Sequence, residues 1–115
     1  MTVRGTIRFR GGRPESTKGR LYVRLLDVTT VDAPSRVVTE EILDLSGGGE
    51  VINFELRAQQ IDQRARYVVA AHADLDGDGA VSAGDFITTR SYAVLSFGSP
   101  DHADLVLEQV QQPEE

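Results

Sequence analysis

Apolar and polar side chains alternate one for one in segment after segment of this chain. Val3, Gly5, Ile7 and Phe9 alternate with Thr2, Arg4, Thr6, Arg8 and Arg10. Leu21, Val23 and Leu25 alternate with Tyr22 and Arg24, and Ile52, Phe54 and Leu56 with Val51, Asn53 and Glu55. A period of two sends successive side chains to opposite faces of an extended chain, so each segment reads as a strand with one face in a core. Residues 67–73 are continuously apolar and of strand length, as expected of a strand inside a sheet. Residues 86–89, 92–97 and 105–107 are strand-like again. Residues 36–45 alternate weakly; a short helix on Glu40-Glu41-Ile42-Leu43 competes, but Val37, Val38 and Thr39 favour a strand.

Between these segments stand turn formers: Gly11-Gly12-Arg13-Pro14, Val31-Asp32-Ala33-Pro34-Ser35, Ser46-Gly47-Gly48-Gly49 and Gly98-Ser99-Pro100-Asp101. Residues 58–66 are polar around Ile61 and have room for one helical turn. The expectation is an all-β fold, a single antiparallel β-sandwich of seven or eight strands with little helix. With 115 residues the chain makes one domain, taken as residues 1–110 with a loop at 74–85 and a polar tail at 111–115.

Composition removes several functions. There is no cysteine, hence no disulfide, thiol nucleophile or cysteine metal site. There is no Trp, so a sugar-stacking platform would have to use Tyr or Phe. No apolar run is long enough to span a membrane, and no signal peptide or lipobox is expected in this chain. The net charge of −6 is uneven: up to Arg24 there are seven basic residues against Glu15 alone. An acidic chain is a poor nucleic-acid binder, and none is expected as a partner. Arg4, Arg8 and Arg10, with Arg24 beside them, read as a solvated face.

The densest chemical signal is Asp74-Leu75-Asp76-Gly77-Asp78-Gly79-Ala80-Val81-Ser82-Ala83-Gly84-Asp85. Calcium takes six to eight oxygens, and a twelve-residue loop that curls round the ion supplies them from alternate positions. Asp74, Asp76 and Asp78 hold positions one, three and five, and Gly79 sits at the sharp turn. Ala80 offers its carbonyl, Ser82 acts directly or through water, and Asp85 closes the site. Val81 is expected to point into the core as an anchor, and Ser82 with Asp85 to cap a turn. The loop resembles those of EF-hands and dockerins, with Asp85 at the last position as in dockerins. Its flanks are extended, so it is a loop set between strands, and its expected role is structural. The bland alternative is a solvated Asp/Gly turn.

Other chemistry is sparse. His72 and His102 are the only histidines and read as two partly exposed side chains. No nucleophile elbow, phosphate loop or dinucleotide fingerprint is present. Glu40 and Glu41 are adjacent, so in a strand they point to opposite faces. No enzyme activity is expected.

The order and spacing of Gly5-Thr6-Ile7, Leu21–Val28, Val51–Leu56, Tyr67–Ala71 and Tyr92–Gly98 resemble a bacterial lipoprotein family. It includes type III secretion lipoprotein chaperones (pilotins) and related envelope lipoproteins, and the resemblance covers about residues 3–110. It implies a small non-enzymatic β-sandwich of the bacterial envelope or secreted space. It also implies binding of a protein partner that assembles in the outer membrane. A non-catalytic, calcium-stabilised binding or structural module, chaperone-like for an envelope protein, is thus the leading expectation. The alternative is a calcium-assisted carbohydrate-binding or accessory domain of a hydrolytic system. An exposed apolar groove or open sheet edge would favour the first.

Overall fold

The computed structural model describes residues 1–12, 19–30, 32–45, 50–77 and 79–111. The expected turns at 13–14, 31 and 46–49, the ligand Asp78 and the tail beyond 111 lie outside them. Eight strands form: β1 (Thr2–Phe9), β2 (Arg20–Asp27), β3 (Arg36–Asp44), β4 (Ile52–Arg57), β5 (Tyr67–Asp74), β6 (Phe86–Thr88), β7 (Tyr92–Val94) and β8 (His102–Gln109). No helix occurs among the described residues. Residues 58–66 hold a turn, closed by Ala65 N–H donating to the Asp62 carbonyl at 3.0 Å.

All eight strands belong to one sheet, in the order β3-β2-β5-β6-β8-β1-β4, with β7 also paired to β5. The all-β class and the strand number agree with the sequence. The antiparallel sandwich gives way to one mixed sheet that curls almost into a barrel. The reason is the pairing of β1 with β8, which is parallel and joins what would have been two sheets. Alternation dictates which side chains face inward but not which strand lies beside which.

The inward residues are those expected. Val3, Ile7, Leu21, Val23, Leu25, Phe54 and Leu56 are buried, with Val69, Leu105 and Leu107 beside them. Phe9 and Phe86 meet edge to face, with ring centres 5.1 Å apart. Buried apolar area of this kind is the main favourable term in folding. β5 is central, with β2 along one side and β7 then β6 sharing the other.

The barrel stays open between β3 and β4. A register shift at Leu25/Leu26 sets Leu25 opposite Thr39 and Leu26 opposite Val37, so Val38 is an extra residue that bulges β3. The two edges touch where Glu55 N–H donates to the Glu41 carboxylate at 3.2 Å. Glu40, on the other face, pairs with Arg24.

Candidate functional site

The acidic loop begins at the end of β5. Asp74 and Asp85 are each 1% exposed. A buried carboxylate is tolerated only when its oxygens are hydrogen-bonded. Asp74 Oδ1 accepts from Gly77 N–H at 3.1 Å and Oδ2 from Gly79 N–H at 2.8 Å. Asp85 Oδ1 accepts from Leu75 N–H at 3.0 Å, and Oδ2 from Ser82 N–H at 3.1 Å. Asp85 N–H in turn donates to the Ser82 carbonyl at 3.1 Å, so the expected Ser–Asp cap closes a turn without a helix. The loop is tied to the end of β8 by Val110 N–H on the Asp85 carbonyl and Gly84 N–H on the Val110 carbonyl.

His72 belongs to this cluster, contrary to its expected exposure. It is 8% exposed, stacks on Tyr22 and places Nε2 2.9 Å from Asp85 Oδ2. Ligand atoms of His72, Asp74 and Asp85 lie within 4.8 Å of one another. Nothing in the apolar run 67–73 marked His72 as a partner of a residue thirteen places on. Asp76 and Ala80 are exposed; Asp76 accepts from Ser82 Oγ at 2.7 Å. Val81 is 56% exposed and does not anchor the loop; Leu75, packed against the core beside the end of β5, takes that place.

Chemically the cluster offers hard oxygen donors and one imidazole. It does not offer an activated nucleophile. Ser82 and His72 both contact Asp85 Oδ2, whereas nucleophile activation needs the base between carboxylate and hydroxyl. His102 is remote from it, exposed and paired with Asp104 at 2.9 Å.

The outside of the barrel divides into two unlike halves. Over β4, β1 and β8 it is charged. Arg4 pairs with Glu55 at 3.0 Å and Arg10 with Glu108 at 2.7 Å. Hydrogen bonds from Arg57 and then Arg4 hold the Glu55 carboxyl below its ordinary range. Thr6 and then His102 do the same for Asp104, and Thr89 with Arg10 for Glu108. Arg4, Arg8 and Arg10 are thus a solvated row. Arg24 is not beside them; it lies on β2, which is not a neighbour of β1.

Over β3, β2, β5 and β7 the outside carries two apolar rows with charged pairs beside and between them. Val37, Leu26, Val68 and Ala93 are successive cross-strand partners, so all four project from the same face. A second row runs Ile42, Tyr22, His72, Ile87. Between them the Arg24–Glu40 ion pair sits opposite Ala70. Val37 is 50% exposed. At the β7 end the first row opens into a groove of about 150 Å³ lined by Val28, Arg66, Val68, Ala93 and Phe97.

The family model described as type III secretion system lipoprotein chaperone (YscW) matches residues 1–107. The chain belongs to this family. Its members are described as chaperones, not as enzymes, and as lipoproteins. Among solved structures, an alternative pilotin from the type II secretion system of Vibrio cholerae is similar over 97% of this chain and 98% of that one. The TM-score is 0.76 at 23% identity, a likeness of fold. No curated protein matches the chain.

Proposed function

We propose that this YscW-family chain is a non-catalytic, chaperone-like module of the bacterial envelope. It binds a protein that assembles in the outer membrane, through the outside of β3, β2, β5 and β7. The observation that carries this is the contrast between the two halves of the barrel exterior. Apolar rows with exposed members at Val37, Ile42 and Ala93, beside a surface of well-paired charges, support a protein-binding surface. For the alternative of a carbohydrate-binding or hydrolytic-accessory domain, Ser82 and His72 are not arranged for catalysis. The test is co-purification with the outer-membrane-assembling protein of the same secretion apparatus. Val37→Lys and Ala93→Lys, both at exposed positions, should abolish it, while Arg8→Glu on the charged half should not. Retention by both lysine variants would refute the assignment of this face.

We further propose that the loop at 74–85 binds calcium and clamps β5 to β6. Supporting this, Asp74, Asp76, Ser82 and Asp85 bring oxygens to one loop. His72 would share Asp85 with the ion. At a hundred times the dissociation constant such an ion adds about 2.7 kcal/mol, or about 10 °C in melting temperature for a domain of this size. Melting in calcium should exceed melting in chelator by that order, magnesium should substitute poorly, and Asp76→Ala should remove most of the difference. Identical melting in calcium and chelator leaves a hydrogen-bonded turn.

A further inference from the structure

The end of the apolar face at Phe97 is built in a way that packing alone does not explain. Ser96 N–H donates to the Val94 carbonyl at 2.9 Å across Leu95, whose φ is 72°. That is a γ-turn with its central residue in the left-handed region, a strained conformation for leucine. Phe97 follows with φ 55°, so two non-glycine residues within three hold positive φ. The surroundings enforce it. Leu95 is buried, Leu95 N–H donates to the Pro100 carbonyl at 2.9 Å, and buried Ser96 donates through Oγ to the Ala65 carbonyl. The result is a phenyl ring 63% exposed. Backbone strain that delivers a large apolar side chain to solvent gains nothing for folding, and strain of this kind collects at binding sites.

Arg66 completes the arrangement. Its guanidinium lies 5.0 Å from the centre of the Phe97 ring. Among the described residues no carboxylate forms a salt bridge with it. Its neighbours Arg64 and Arg36 pair with Asp62 and Asp27. The groove beneath is lined by Val28, Val68 and Ala93, with Ser91, Ser96 and Ser99 at its wall, and by no acidic residue among those described. An apolar groove with one unneutralised guanidinium stacked at its mouth complements an apolar segment that carries a carboxylate.

We infer that the Phe97–Arg66 corner is the seat of the partner: an apolar peptide segment docks against Phe97, Val68 and Ala93, and an acidic side chain of that segment meets Arg66. This rests on the protein-binding reading above and names the chemistry of what binds there. Phe97 is then the anchor and Arg66 the selector.

The test uses the full chain and two short synthetic peptides of leucine and alanine, one with a central glutamate, the other with lysine in its place. Amide shifts on titration should concentrate at Val68, Ala93 and Phe97, with the glutamate peptide bound about tenfold tighter. Arg66→Glu should reverse that preference. Phe97→Gly should weaken binding about tenfold or more and yet raise the melting temperature, because glycine accepts a φ of 55° without strain. A residue placed there for structure alone would lower it. Equal binding of the two peptides, or shifts confined to β4, β1 and β8, overturns the inference. If co-purification of the envelope protein survives both Phe97→Gly and Arg66→Glu but not Val37→Lys, this corner is not the seat although the protein-binding reading stands. If the wild-type chain fails to co-purify, both fall.

Discussion

Gly5 is the residue on which the fold turns. It faces Ala103 across the parallel β1–β8 pairing, and a Cβ placed on it would stand 1.7 Å from the Ala103 carbonyl oxygen and 2.8 Å from the Phe54 ring. Backbone cannot yield to that without parting the two strands. In sequence Gly5 reads only as the small member of an alternating run, because nothing local tells that another backbone crowds it. Gly5→Ala should therefore cost at least about 3 kcal/mol, far more than exchanging a methyl for a hydrogen in an ordinary strand. Urea unfolding checks this, and a loss under about 1 kcal/mol would mean the pairing has slack.

At the scale of elements, the sequence disclosed strands well and neighbours poorly. β1, β2 and β4 follow their two-residue period, and β5 is central as its unbroken apolar run implies. β8 is longer than residues 105–107, because Ala103 continues the inward alternation between the polar His102 and Asp104. β3 reads weakly for a physical reason: it is a bulged edge strand whose outer residues Val37 and Ile42 are exposed. That same apolar exterior is what a period of two cannot separate from a buried face. The acidic loop was legible as a set of oxygens; its buried histidine and the exposure of Val81 were not. Both depend on the loop lying against the end of β8, a contact between distant segments. The positive φ of Leu95 and Phe97 left no mark in the residue types either.

For the whole molecule, the surface carboxylates have a consequence in acid. Glu55, Glu108, Asp104 and Asp27 all titrate below their ordinary values of 4.5 and 3.8, held there by hydrogen bonds and neighbouring cations. Their folded values lie below the unfolded ones, so the unfolded chain binds more protons as pH falls. The stability they contribute is complete above the ordinary carboxylate range and is lost as pH drops through the depressed values. Asp104 is exposed and the other three are partly so, which keeps each effect small. Urea midpoints should be flat from about pH 5 to 7 and should fall below about pH 4. A midpoint unchanged at low pH would mean these pairs are inert. The open seam between β3 and β4 bears on something other than stability. A bare strand edge invites the edge of another copy, and such growth is the route to insoluble protein. The Glu41 carboxylate occupies the Glu55 N–H that a foreign strand would need, and brings a charge with it. Glu41→Ala should leave unfolding within about 0.5 kcal/mol of wild type. It should nevertheless scatter light sooner on concentration, which would make Glu41 a guard of solubility.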